Sequence, residues 1–235
     1  MTVRLSALHT RALLLDIEWT TTPVAFVYEI LFPYARAHAA EYLARNQDSG
    51  DCREAVRLLR NEHGASQNFG PAQVLDYVFS LMDRDKKSPG LKALQGLIWH
   101  DGYKSGELKG QVYPDVPPAF ERWRARGLDV HIYSSGSVLA QQLLFGSTDA
   151  GDLTRFLKGY FDTAVGPKTS SDSYRVISEQ IHVAPAEVLF VSDVVAELDA
   201  AHTSGMRTAL CVRGTDVPSG PESHAVIRRF DEIVD

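Results

Sequence analysis

The sequence predicts an α/β fold: a doubly wound parallel sheet interrupted by an inserted all-helical segment. Three observations point there. An isolated apolar strand signal lies near the N-terminus, residues 22–110 carry only helical periodicity, and strand and helix signals then alternate to the C-terminus. At 235 residues and 44% apolar content, the chain is long enough for one large core or for a core with a second unit inserted into it.

The first strand is read from Leu13-Leu14-Leu15, an apolar run that ends in Asp16-Ile17-Glu18-Trp19-Thr20. Thr22 and Pro23 suit an N-cap and first helical turn, and Val24, Val27, Tyr28 and Leu31 follow at helical spacing. Cys52, Val56 and Leu59 mark a second helix ending near Gly64, and Val74, Leu75, Val78, Phe79 and Met82 mark a third. Ser88-Pro89 opens a fourth through Leu91, Leu94 and Ile98. The glycine-rich run Gly102–Gly110 reads as a hinge or as a loop returning to the core. From Pro117 a helix closes at Gly127, followed by a strand at Leu128–Tyr133 and a helix after Ser137. Further strands are expected at Phe161–Val165, Val188–Val191 and Thr208–Val212. The boundaries that follow are 1–21 with 111–235 for the sheet-bearing core and 22–110 for the helical insert, with two linkers that let the insert open and close.

Composition narrows the function. A net charge of −6 with interspersed signs argues against a nucleic-acid partner. Cys52 and Cys211 lie far apart without a Cys-x-x-Cys pair, which suits reduced thiols rather than a disulfide or zinc framework. Asp16 and Glu18 interrupt the N-terminal apolar stretch too early for a secretory signal or a membrane span, so the chain reads as soluble and cytoplasmic. The eight histidines are scattered, and a strand histidine such as His131 reads as structural. P-loop, nucleophile-elbow and dinucleotide-binding glycine motifs are absent from the sequence.

In an open α/β sheet, ligands collect at the carboxyl ends of the strands. Here those ends supply Asp16 and Glu18, then Ser134, Ser135 and Gly136, then Gly166-Pro167-Lys168-Thr169, then Ser192 and Asp193. Carboxylates at the mouth of an apolar core repel one another unless cations compensate them, which suggests a hard metal such as magnesium. The set fits phosphoryl transfer. Asp16 is the candidate nucleophile; Asp16, Glu18 and Asp193 are the candidate magnesium ligands; Ser134 and Ser135, with N–H groups at a helix start, are candidates to hold the phosphate oxygens; and Lys168 balances charge. Taken singly, Ser-Ser-Gly reads as a turn, Lys168 as a solvated lysine and Asp193 as an N-cap; the ordered set at successive strand ends carries the argument.

These residues resemble the haloacid dehalogenase-like phosphohydrolases, whose motifs sit at such strand ends on a Rossmann-like core with an inserted cap. Asp16-Ile17-Glu18, Thr20-Thr21-Thr22-Pro23, Phe26-Val27-Tyr28, Leu31–Arg36, Gly102–Gly110, Val112–Pro117, Ser134–Ser137 and Ser192–Val195 are, more closely, similar to the enolase-phosphatases of methionine salvage, also called acireductone synthases. The resemblance implies a monomeric, cytoplasmic, magnesium-dependent enzyme. It acts on the small phosphorylated diketone 2,3-diketo-5-methylthiopentyl-1-phosphate, enolising it and then removing the phosphate. It also implies a catalytic role for Asp16 and Glu18, with Glu18 as the enolisation base and a possible backbone-carbonyl metal ligand, and substrate contacts from Ser134, Ser135 and Lys168. Trp19 departs from the family's usual glycine. Either its backbone is ordinary and the ring packs against the cap, or a positive φ strains it by about 1–2 kcal/mol and crowds the site. The alternatives are a phosphatase for another small ester and a variant impaired by Trp19.

Overall fold

A computed structural model describes residues 2–64, 69–86, 88–214 and 223–234. Residues 1 and 235, the expected limits of the core, lie outside the described residues. The chain forms two compact units, one running to Val24 and resuming at Gly110, the other Ala25–Lys109.

In the first unit, β1 (Val3–Arg4) pairs in parallel with β8 (Ile233–Val234) as a small separate sheet. The main sheet contains β2 (Ala12–Leu15), β3 (Asp129–Tyr133), β4 (Gly159–Phe161), β5 (Val188–Ser192), β6 (Arg207–Cys211) and β7 (Ala225–Ile227). These strands are all parallel, in the order β4-β3-β2-β5-β6-β7. Every residue of β2 is buried, as expected of a central strand covered on both faces. The order reverses beside β2, so the crevice at its carboxyl end is where a doubly wound sheet gathers ligands. The helices α5 (Val116–Ala125), α6 (Val138–Gly146), α7 (Ser171–Ile181) and α8 (Val195–Thr203) connect the strands. Ala12, Leu14, Phe190, Tyr174, Ile177, Leu198 and Ala201 share one hydrophobic cluster between β2, β5, α7 and α8.

The second unit is helical among its described residues. A π-helical turn, Phe26–Leu31, runs into α1 (Phe32–Asn46); α2 (Gly50–His63), α3 (Pro71–Asp83) and α4 (Pro89–Ser105) follow. Ser49 caps α2 through the Cys52 N–H, Ser88 caps α4 through the Leu91 N–H, and Gly106 at φ +83° closes α4 in a left-handed turn. Gly102 is buried where a Cβ would stand 2.7 Å from the Tyr34 ring, so α4 approaches α1 closely there. A cavity of about 480 Å³ opens within this unit beside Tyr34, His38, Arg45, Asp101 and Glu107.

The following expectations need correction. The chain leaves the first unit after Val24, not after residue 21, because the N–H groups of Thr21 and Thr22 are both tied to the Ile17 carbonyl at 2.9 Å. The return falls one residue earlier, at Gly110, whose N–H donates to Ser147 O at 2.7 Å. The expected 3.6-residue stripe of Val24, Val27, Tyr28 and Leu31 gives way to burial of Phe26 and Leu31, five residues apart, because the turn is π-helical and Tyr28 is exposed. The strand expected at Phe161–Val165 instead ends at Phe161. Asp162 Oδ1 accepts the Ala164 N–H at 2.8 Å and turns the chain, while Gly159 enters the ladder opposite His131, where a Cβ would sit 2.7 Å from its ring. The first residues of the expected Gly102–Gly110 hinge are the last turn of α4.

Candidate active site

Asp16 follows the last residue of β2, and its N–H donates to Val191 O at 3.0 Å. Leu15 pairs with Ile132 on one side and Val191 on the other, so the register sets Asp16 level with Tyr133 and Ser192, with Ser134 and Asp193 one residue beyond. Four of the expected strand-end residues are therefore brought to one crevice by the sheet itself.

Asp16 is 2% exposed, and its carboxylate is surrounded by donors. Lys168 Nζ donates to Asp16 Oδ1 at 2.6 Å, Ser192 Oγ to Oδ2 at 3.2 Å, and the Ile17 N–H to Oδ1 at 2.8 Å. These charge-assisted bonds orient the carboxylate. Lys168 is itself buried, and its ammonium reaches Glu197 Oε2 at 2.7 Å as well as Asp16. Burial pulls its pKa down most strongly, but Asp16 and Glu197 together outweigh burial and hold the lysine above its ordinary value. The solvated reading of a Gly-Pro-loop lysine does not apply. That loop is pinned from below: Tyr174 Oη donates to Lys168 O at 2.6 Å, Ser173 Oγ to Pro167 O at 2.8 Å, and Tyr133 Oη to Gly166 O at 3.0 Å.

Glu197, in the first turn of α8, was not among the residues expected from sequence. It accepts from Ser192 Oγ at 3.0 Å, and burial followed by the nearby Asp16 raises its pKa. Burial and then Asp16 also push Glu18 and Asp193 up to about 7 each. The N-cap reading of Asp193 is overturned, since α8 has no side-chain cap and the Val194 N–H goes to Ser192 Oγ at 3.1 Å. Asp16 and Glu197 thus share a single ammonium, and Glu18 and Asp193 lie within the field of Asp16 as well.

That excess of negative charge is the observation that bears on a metal. Among the described residues no three His, Cys, Asp or Glu side chains are grouped to hold an ion by themselves. Magnesium does not require such a cage, because it binds through one or two carboxylates with carbonyl, water and phosphate oxygens. Two carboxylates near one crevice with an unbalanced charge fit that habit.

On the β3 side, Ser134 is buried and its Oγ accepts the Gly136 N–H at 3.1 Å; Ser135, partly buried, is next in the same turn. The N–H groups expected to face an anion at the start of α6 are largely engaged already. Val138 donates to Asp162 Oδ2 at 3.3 Å and Ala140 to Ser137 Oγ at 3.3 Å, so those two amides already have acceptors within the protein.

Trp19 has φ +55° and is 46% exposed. The ordinary-backbone reading is therefore wrong: the residue sits in the left-handed region, where an L side chain costs about 1–2 kcal/mol.

Comparison with known proteins agrees with this geometry. The profile of a hydrolase family, the haloacid dehalogenase-like hydrolases, matches residues 11–205. The chain is 47% identical over 223 residues to the enolase-phosphatase E1 of Citrobacter koseri, covering 95% of this chain and 96% of that protein. It is 49% identical over 229 residues to the enolase-phosphatase E1 of Synechococcus elongatus, covering 94% and 96%. The crystal structure of the UTR4 protein of Saccharomyces cerevisiae superposes with a TM-score of 0.78 at 36% identity, covering 94% of this chain and 99% of that one.

Proposed function

This chain belongs to the haloacid dehalogenase-like hydrolases, and on that premise we propose that it is a magnesium-dependent enolase-phosphatase acting on 2,3-diketo-5-methylthiopentyl-1-phosphate in methionine salvage. The observation that carries the reading is Asp16 itself, buried at the end of the central strand with Lys168 at 2.6 Å and Ser192 at 3.2 Å.

The substrate carbon that bears the phosphate ester adjoins a ketone, so its proton is within reach of a carboxylate base. Glu18 takes that proton, and the electron pair moves into the enol system. The enolate oxygen takes a proton from water; an oxygen of Asp16 then bonds to phosphorus as the ester P–O bond breaks, the leaving oxygen takes the proton held by Glu18, and the acireductone departs from an aspartyl-phosphate that water hydrolyses. Ser134 and Ser135 hold the phosphate oxygens, and Lys168 orients Asp16 and balances charge. Asp16, Glu18 and Asp193 would hold magnesium, which when bound would supply positive charge that offsets the phosphate and the carboxylates. The helical unit, Ala25–Lys109, selects the substrate. The enzyme works as a cytoplasmic monomer, and among the described residues no helix is long and apolar enough to cross a membrane.

Acid-quenched turnover followed by peptide mapping tests this mechanism. A labile phosphoryl group on the peptide bearing Asp16 is the expected result; phosphate release with the group elsewhere, or with none formed, would contradict it.

A further inference from the structure

The loop that carries the two acids is wound about one backbone carbonyl. The N–H groups of Thr20, Thr21 and Thr22 converge on Ile17 O at 3.2, 2.9 and 2.9 Å, and the Thr21 hydroxyl joins them at 3.2 Å. Winding this tightly puts Trp19 at φ +55°, a conformation that a tryptophan does not hold unaided. Something outside the turn must over-determine it.

The Thr20 carbonyl, one residue beyond Trp19, is gripped by Arg213, whose Nε donates to it at 3.0 Å and Nη2 at 2.7 Å. The same guanidinium turns its third nitrogen to Asp115, with Nη1 at 2.8 Å from Oδ1 and 2.7 Å from Oδ2. The Arg213 and Asp115 side chains are 4% and 2% exposed. The guanidinium carbon lies 4.2 Å from the centroid of the Tyr113 ring and 4.9 Å from that of Phe230, which fixes its plane between two aromatic faces. Asp115 is braced in turn by the Phe230 N–H at 2.6 Å, and the Tyr113 N–H secures Thr21 O at 2.9 Å. An ion pair needs only one of those nitrogens to neutralise Asp115. The other two are spent on a single backbone oxygen in the acid-bearing loop, a forked contact that only a planar guanidinium makes.

We propose that Arg213, braced by Asp115, is a positioning residue for the reaction at Asp16. By locking the Thr20 carbonyl it holds Trp19 in the left-handed conformation and so fixes where Asp16 and Glu18 present their carboxylates. The proposal rests on the phosphatase reading of the site, but the clamp has a readout of its own.

The test compares the unaltered chain, Trp19→Gly, Arg213→Lys and the double variant. Lysine keeps a cation beside Asp115 but cannot fork onto Thr20 O, whereas glycine adopts a positive φ without a clamp. Arg213→Lys is expected to lower kcat about tenfold with KM within about twofold, at a temperature where circular dichroism shows it folded. Trp19→Gly is expected to change kcat by less than about twofold alone, yet to restore most of the loss in the Arg213→Lys background. Hydrogen exchange supplies the second arm: the amides of Thr20–Thr22 exchange faster in Arg213→Lys while those of β5 do not. An Arg213→Lys enzyme with the original kcat, a Trp19→Gly effect equal in both backgrounds, or exchange that rises evenly across the core would each overturn the proposal. An unaltered chain without activity on the diketo ester would sink the functional reading instead, and the exchange comparison would then decide the clamp.

Discussion

Lys168 is held by two carboxylates in a buried position, so its removal leaves Asp16 and Glu197 without their shared cation. Breaking one partner out of a buried pair costs about 3–5 kcal/mol. Lys168→Met is therefore expected to lower the melting temperature by roughly 10 °C and to abolish turnover; an unchanged melting curve would show that the three charges are not coupled as described. Asp16→Asn is the milder change in shape, since an amide fills the same space. It should remove turnover by roughly a thousandfold or more while the circular dichroism spectrum stays the same, and near-normal rates would refute a covalent role for this residue. At this scale the sequence marked Asp16 as a candidate, because an apolar run rarely ends in two acids without a reason. It did not disclose Glu197, whose carboxylate returns from the first turn of a helix to Ser192 and Lys168. Nor did it disclose Arg213 and Asp115, a pair separated by 98 positions that only the folded chain brings together.

Elements were legible where burial dictates composition. Strands β2, β3, β5 and β6 are apolar runs because the sheet covers them on both faces, and each was expected within a residue or two. The π-helical turn was not legible, since a 3.6-residue period cannot register a five-residue one, and β4 was displaced because its first residue is a glycine. That glycine leaves room for His131 in β3, which is buried and has no hydrogen-bond partner for either ring nitrogen among the described residues. Burial lowers its pKa from 6.5 to about 4, against an opposing pull from Asp129 and with support from Lys158 and Arg124. The unfolded chain therefore binds a proton near pH 6.5 that the folded chain refuses until about pH 4, so stability falls as pH drops through that interval. The His131 contribution to the loss between pH 7.5 and 5 is about 2 kcal/mol. Denaturant titrations should show that much less acid sensitivity in His131→Leu than in the unaltered chain; equal sensitivity would remove the buried histidine from the account. A second element-level prediction concerns the return to the core. A Cβ on Gly110 would lie 2.1 Å from the Leu144 carbonyl oxygen, so Gly110→Ala should cost about 2–3 kcal/mol in the same titration.

For the whole molecule, one sheet topology explains why candidate residues from distant segments lie together. The strand order reverses beside β2, and the parallel register aligns the ends of β3 and β5 with Asp16. This is why the candidate strand-end residues could be named from the sequence before any contact was known: strand ends are local signals, and the fold class fixes where they meet. Pairings that depend on side-chain reach, such as Lys168 to Glu197 or Arg213 to Thr20 O, have no local signal and needed the three-dimensional structure. The proposed chemistry has two parts, enolisation and phosphate removal, and both can be watched on the intact chain. The most direct measurement follows the ultraviolet absorbance of the enol together with phosphate release from 2,3-diketo-5-methylthiopentyl-1-phosphate, in magnesium and in a chelator. Metal-dependent growth of the absorbance ahead of phosphate is the predicted result; phosphate release with no enol absorbance, or turnover indifferent to the chelator, would contradict it.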